Sequence, residues 1–362
     1  MDEIKFQERT INLAKKSQGM VAPRPAVGAL LVKDGKIISE GYTKPRPGLH
    51  AEADAINNAK EDIKGSTLFC TLEPHNFTTH DTPCTEKIIN SGITKVSCPK
   101  IDINPRVNGK GFEDLKNKGI IVETNWGDKQ VKDINNLYEG YEFNIKHNRP
   151  RVSAKFAMTL DGKISTKNGE SKWITSHQSR NKVHEIRYLS DAIITGINTI
   201  IEDNAILTAR EKNKPTGKPK YRVILDNNSK LNESYKIFRD ESLGEVIWFT
   251  SKDSSPKKIP QHISHKSSKY AKIDPKEVLD HLGEIGCLDI LIESGGTLLG
   301  SFFDQKIVDK VYAFIAPTIF GGQTAPSPVE GKGIDKIIDR INLKNVSIES
   351  IEEDILITGI IN

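Results

Sequence analysis

The sequence predicts an α/β protein of two domains. Helix patterns alternate with short apolar strand patterns along most of the chain, and the alternation restarts near residue 150. A chain of 362 residues is also long enough for two domains at ~150 residues each. The link between the two runs, Lys146-His147-Asn148-Arg149-Pro150-Arg151, is polar and ended by a proline. The domains are therefore expected at 1–146 and 150–362.

From Ile4 to Gln18, apolar Ile4, Ile11, Leu13 and Ala14 sit among charges, the pattern of an amphipathic helix stopping near Gly19. Ala26 to Val32 reads as a strand, Asp34-Gly35 as a hairpin turn, and Ile37-Ile38 as the returning strand. Next come a helix from His50 to Lys60, a strand from Ser66 to Leu72 and a helix from Cys84 to Ser91. Lys95 to Cys98 and Ile120 to Thr124 read as strands around a helix at Gly111 to Lys118. Asn136 to Phe143 closes a three-layer domain with a largely parallel sheet. In the second half, strands are expected at Val152 to Phe156, Ala192 to Thr195, Tyr221 to Leu225, Val246 to Thr250, Leu288 to Ile292, Lys310 to Ile315 and Ile355 to Ile361. Helices are expected at His177 to Tyr188 and Pro275 to Ile285.

Composition narrows the function. Net charge is +4 and the lysines are scattered between acids, which argues against nucleic acid as the main partner and leaves phosphorylated small molecules open. Four cysteines in a chain this long make no disulfide framework. The N-terminus is charged and no run is long enough to span a bilayer, so the expectation is a cytoplasmic protein without membrane partners. Oligomeric state is left open.

The stretch from His50 to Cys84 carries chemistry. Hydrolytic deamination of an aromatic amidine needs an activated water and a proton shuttle. Zinc on three protein ligands, with water in the fourth position, lowers the water pKa to roughly 7. A carboxylate beside the metal moves the proton. A helix starting near His50 presents His50 and Glu52 to one cavity. Cys84 opens another helix, where Thr82 can cap, Pro83 suits the first position, and the helix dipole favours a thiolate. Cys70 and Cys98 fall inside strand patterns and read as core. His147, His177, His184, His262, His265 and His281 lack partners at ligand spacing and read as surface or structural.

His50-Ala51-Glu52, Thr71-Leu72-Glu73-Pro74 and Thr82-Pro83-Cys84 resemble the cytidine-deaminase superfamily. With Pro23, Pro25, Val27, Gly28, Val32 to Gly35 and Gly41, and then Asp102, Asn104, Pro105, Val107, Gly109 and Gly111, the first ~145 residues resemble the deaminase half of the bifunctional riboflavin-biosynthesis deaminase/reductases. The resemblance implies zinc on His50, His75 and Cys84, with Glu52 as the catalytic shuttle. Three departures stand out. His75 replaces a cysteine ligand, and imidazole for thiolate makes the site less negative and its water more acidic. The loop that reads Ser-His-x-Gly-Arg-Thr-Pro in the family is here Asn76 to Thr82, where His80, beside Asp81, is a partial substitute for the arginine. Finally, Arg24 stands in the family's Pro-Asn-Pro and brings a new positive charge.

No Gly-x-Gly-x-x-Gly follows a strand in the second half, which argues against a standard Rossmann site. Glu293-Ser294-Gly295-Gly296-Thr297-Leu298 follows a strand and opens a helix, a place where glycines free backbone amides for phosphate. Taken alone it reads as a tight turn. Together with Lys155 to Ile164, Ser171 to Ser176, Ser190 to Ile193, Leu207 to Arg210 and Ala316-Pro317, it resembles the reductase half of the same family over nearly all of residues 151–362. That implies a dihydrofolate-reductase-like fold using NADPH. By the resemblance, Ser171, Arg187, Leu207, Arg210 and Glu293 line the substrate, with the two arginines as phosphate clamps. Met158, Trp173, Thr199, Asp203, Gly295, Gly296 and Thr297 line the cofactor.

Two alternatives remain at this stage. One keeps the reductase and makes the first half a deaminase-like scaffold without activity. The other makes that half a nucleic-acid or protein-binding module, which the absence of a basic cluster disfavours.

Overall fold

A computed structural model describes residues 2–78, 82–211, 214–239 and 241–361, which form two compact units, Met1–Asn148 and Arg149–Asn362. The first unit runs α1 (Asp2–Ser17), β1 (Gly28–Lys33), β2 (Lys36–Tyr42), α2 (Ala51–Asn58), β3 (Thr67–Cys70), α3 (Cys84–Asn90), β4 (Lys95–Ser97), α4 (Lys110–Asn117), β5 (Ile121–Glu123) and α5 (Asp128–His147). Its sheet has the order β2-β1-β3-β4-β5. β1 is antiparallel to both neighbours and the other pairs are parallel, so every strand except β1 shares one direction.

Local chemistry explains the joins. Asp34 and Gly35 both adopt positive φ, the geometry that lets a two-residue loop follow the strand twist. Ile11, Leu13 and Ala14 are buried as expected, whereas Ile4 is half exposed near the start of α1. α5 begins eight residues before the expected 136, because its inner stripe opens on buried polar Gln130 rather than on an apolar residue.

Glycines set how closely the helices approach. A Cβ on Gly28 would lie 2.1 Å from the Thr10 carbonyl oxygen of α1, and one on Gly41 would lie 2.3 Å from the Ala51 oxygen and the Ala55 nitrogen of α2. Gly41 pairs in register with Ala29, the neighbour of Gly28, so the two helices cover opposite faces of the sheet.

The second unit runs β6 (Arg151–Thr159), α6 (His177–Leu189), β7 (Ala192–Gly196), α7 (Ile197–Asp203), β8 (Arg210–Glu211), β9 (Lys214–Pro215), β10 (Tyr221–Asp226), β11 (Glu245–Thr250), β12 (Ile263–Ser267), α8 (Pro275–Glu284), β13 (Asp289–Glu293), α9 (Gly296–Asp304), β14 (Lys310–Ala316), β15 (Leu343–Ile351) and β16 (Asp354–Ile361). The main sheet has the order β12-β11-β10-β7-β13-β6-β14-β16-β15. It is parallel from β12 to β14, and β16 is antiparallel to both its neighbours. Alternate residues feed two apolar clusters: Ile194 and Ile292 pack with Leu299 and Phe302, while Ile193 and Leu291 pack with Ile186 and Trp248. The sheet is therefore buried on both sides, which is why its inner strands read as unbroken apolar runs.

Five elements were not legible: β8 and β9, two residues each, fall in the 210–220 stretch whose lysines and prolines read as an exposed loop, and three others left no clear pattern. α7 is seven residues with polar Asn198 and Thr199 at its start; β12 alternates weakly; and β15 is exposed along most of its length, leaving no buried face to mark.

Topology creates one crevice. β7 and β13 are neighbours, yet the chain leaves β7 toward β10 and leaves β13 across β6 toward β14. Connections that diverge from adjacent parallel strands open a gap at the strands' carboxyl ends.

Gly41→Ala is expected to cost about 1–3 kcal/mol by overpacking α2 against β2. Denaturant titration of the first unit's transition measures this, with a parallel loss of zinc retention expected because His50, a predicted ligand, is the N-cap of α2.

Candidate active sites

His50 is the N-cap of α2, His75 lies five residues beyond β3, and Cys84 is the first residue of α3. One ligand atom from each converges to within 4.8 Å of the others, and the two imidazole centroids are 4.6 Å apart. Two imidazoles and a thiol that close are a competent tetrahedral donor set, with the fourth position left for water. Zinc fits these residues. Glu52, the second residue of α2 and buried, accepts a hydrogen bond from the Cys84 thiol at 3.5 Å. Burial pushes its carboxyl above the ordinary range, against the lowering effects of its own backbone N–H, Cys84 and Lys87.

The frame around these ligands is built from backbone contacts. The buried Glu73 carboxylate accepts from the N–H groups of Asp102 (3.1 Å), Gly109 (2.9 Å) and Phe112 (3.2 Å). It thereby fixes the segment two residues before His75 to the 102–109 loop and to the first turn of α4. A Cβ on Gly111 would stand 2.0 Å from the Pro74 carbonyl oxygen, so α4 can approach this closely only through glycine. The His75 carbonyl accepts from Thr85 N–H at 3.2 Å, coupling the second ligand to the helix of the third.

Several expectations need adjusting. Pro83, not Thr82, occupies the N-cap of α3, and no side chain caps it. Arg24 donates to the carbonyls of Gly48 (2.6 Å) and Lys44 (3.3 Å), so it fastens the loop that leads into His50. In the altered loop, Asn76 Nδ2 donates to Asp114 at 2.7 Å, and Phe77 stands edge-on to His75 with centroids 5.3 Å apart. His80 and Asp81 lie outside the described residues. Cys70 and Cys98 are fully buried, and none of the four cysteines is in a disulfide.

In the second unit, a cavity of about 1040 Å³ opens at the carboxyl ends of β7 and β13. Ser171, Trp173, Arg187, Thr199, Asp203, Leu207, Arg210, Glu293, Gly295, Gly296 and Thr297 all line it; Met158, half-buried further along β6, does not. Gly295 is the N-cap of α9, and no atom lies within 4 Å of where its Cβ would be. The space beside Gly295 is open, while Thr297 Oγ1 at the same helix start donates to Glu330 at 2.7 Å, and the dinucleotide NADPH fits a cavity of this size and lining. Trp173 is 70% exposed with the Arg180 guanidinium 4.5 Å from its ring centroid, and Lys172 pairs with Asp203 at 2.8 Å.

Arg187 is placed differently from a phosphate clamp. Its Nε and Nη2 donate to Glu293 at 2.6 and 2.9 Å, and its Nη1 donates to the Thr208 carbonyl at 3.1 Å. A buried carboxylate needs a countercharge, and Arg187 supplies it. Burial works to raise the Glu293 carboxyl, but Arg187 and then Lys155, at 3.4 Å, outweigh it and hold it at about 2. Arg210 is left as the exposed guanidinium of the predicted pair.

Two lining residues escaped the sequence reading. Lys155 sits beside Glu293 at the start of the strongest motif of this half. His184 lies three residues before Arg187 on one face of α6; burial, then Arg187 and Arg210, press its imidazole down to about 4, so it is neutral at physiological pH. The i,i+3 spacing was the available signal.

Residues 150–357 match the family described as RibD C-terminal domain, and residues 1–100 match the cytidine and deoxycytidylate deaminase zinc-binding region. Riboflavin biosynthesis protein RibD of Actinobacillus pleuropneumoniae is 34% identical, over 100% of this chain and 96% of its own. The RibD of Aquifex aeolicus is also 34% identical, over 97% and 96%. A crystal structure of a diaminohydroxyphosphoribosylaminopyrimidine deaminase/5-amino-6-(5-phosphoribosylamino)uracil reductase from Thermotoga maritima superimposes with TM-score 0.83 at 35% identity, covering 100% of this chain and 99% of that one.

Removing Arg187 tests the buried pair. Arg187→Ala is expected to cost about 3 kcal/mol in urea titration of the second unit, because Glu293 loses its main countercharge. The sign of the pH effect follows from the depressed carboxyl. The contribution is full above the unfolded value of ~4.3 and is lost as pH falls toward about 2. Wild-type stability should therefore fall more steeply than that of Glu293→Gln across that window.

Proposed function

The chain belongs to the RibD family of riboflavin-biosynthesis proteins, and on that premise we propose that it catalyses two consecutive steps. The first is deamination of 2,5-diamino-6-ribosylamino-4(3H)-pyrimidinone 5′-phosphate. The second is NADPH-dependent reduction of the resulting 5-amino-6-(5-phosphoribosylamino)uracil to the ribitylamino compound. The observation that carries the first step is the convergence of His50, His75 and Cys84 within 4.8 Å, with the Glu52 carboxylate 3.5 Å from the Cys84 sulfur. The substrates are small phosphorylated molecules, and the balanced charge and four cysteines outside any disulfide suit a cytoplasmic enzyme without nucleic-acid or membrane partners. No described helix is long and apolar enough to cross a membrane.

In the deaminase unit, His50, His75 and Cys84 would hold zinc, which would supply a water activated at neutral pH. Glu52 would take one proton from that water and pass it to the ring nitrogen, then take the second from the added hydroxyl and pass it to the departing amine, so oxygen would enter as ammonia leaves. Its burial suits this role, because a carboxyl held above its ordinary range gives a proton back as readily as it takes one.

In the reductase unit, Trp173, Thr199, Asp203 and Gly295 to Thr297 would hold NADPH, which would supply the hydride for the sugar C1. Ser171, Leu207 and Glu293 shape the substrate side, with Arg187 keeping Glu293 ionised. Arg210, exposed at the cavity, is the group suited to the 5′-phosphate.

Zinc per chain is measured first, and deamination is then assayed with and without a chelator. Zinc present without uracil product would leave only the reductase. Glu52→Gln is expected to lower deaminase kcat by about 10²–10⁴-fold, with zinc content unchanged. Reduction of the ribosylaminouracil phosphate should continue at the wild-type rate in the same variant.

A further inference from the structure

Position 106 carries an arginine in the loop that faces the altered 75–77 segment. Its guanidinium carbon lies 3.7 Å from the Phe77 ring centroid, and Phe77 is in turn 5.3 Å from the His75 centroid. The three side chains form a short ladder leading outward from a metal ligand to an exposed cation. Among the described residues, no carboxylate lies within ion-pair distance of Arg106.

The ladder is held from both ends. Arg106 N–H donates to Asn104 Oδ1 at 3.1 Å, Asn104 N–H donates to Asp102 Oδ1 at 2.9 Å, and Tyr141 donates to the same Asp102 oxygen at 3.0 Å. The Asp102 and Gly109 amides that bracket this loop both end on Glu73, two residues before His75. The arginine and the metal ligand therefore share one anchor, and their spacing is part of the fold.

We propose that Arg106, braced on Phe77, binds the 5′-phosphate of the deaminase substrate. The inference rests on the deaminase reading above. Stacking occupies only the face of a guanidinium, so its in-plane N–H groups remain directed at a phosphate's oxygens. The substrate's phosphate hangs from the pyrimidine by a five-carbon sugar, so a ring seated at the metal would leave the phosphate some way from it, and the exposed Arg106 stands two side-chain contacts from His75. Specificity for the phosphorylated form would then lie on the 102–109 loop rather than between the metal ligands.

The test uses the full chain with cobalt(II) in place of zinc, whose visible absorption responds only to ligands reaching the metal. It is titrated with the uracil product and with the same compound lacking phosphate, for wild type, Arg106→Gln and Arg106→Lys. Zinc enzyme is assayed for deamination in parallel without NADPH. Arg106→Gln should weaken binding of the phosphorylated compound about tenfold or more, the scale of a charge-assisted hydrogen-bond pair. KM should rise with kcat retained, the dephosphorylated compound should bind as in wild type, and Arg106→Lys should fall between. Equal weakening toward both compounds, or none toward either, overturns the assignment. A wild-type spectrum that answers to neither compound removes the deaminase reading itself, and Arg106 with it.

Discussion

The deaminase unit depends on a single buried carboxylate that stands outside the His50, His75 and Cys84 cluster. Glu73 gathers three backbone amides from two different segments. Without it, the strand-end segment carrying His75, the 102–109 loop and the start of α4 would each have to hold position by packing alone. Metal sites tolerate little drift in ligand position, and an acceptor that binds main chain fixes position without depending on neighbouring side chains. Gly111 completes the arrangement by letting α4 come within van der Waals distance of Pro74.

The reductase unit solves its problem by topology and countercharge. Divergent connections after β7 and β13 open the crevice, and the amino ends of α7 and α9 face into it. Glu293, at the end of β13, brings a negative charge into a space meant for anionic ligands. Arg187 and Lys155 offset that charge locally, so the carboxylate stays ionised without leaving an uncompensated negative charge in the cavity.

How much of this was legible depended on where each interaction leaves its mark. His50, Glu52 and Cys84 stood out through spacing and helix-start chemistry, whereas the place of Gly295 and Gly296 after a strand read as a tight turn until the ordered set of motifs around it was considered. The Glu73 anchor was invisible because its partners are backbone amides, which every sequence supplies. Arg187 could be seen as functional but not as Glu293's partner, since 106 residues separate them. Met158 was carried along by its motif and stands outside the cavity, while His184 was passed over because its neighbours become apparent only when α6 is folded. At position 77 the sequence displayed a departure from the family pattern, but nothing in it indicated a ring standing between a metal ligand and an arginine.

The backbone nature of the Glu73 anchor has an evolutionary consequence. An amide is present whatever the side chain, so residues such as Arg106 and Phe77 can be replaced one at a time while the metal-holding frame stays intact. Most intermediates along such a path would still fold and still bind zinc. A lineage could therefore move its substrate contacts from one loop to another by small steps, and the unfamiliar residues at 75–77 are what such a relocation would leave behind.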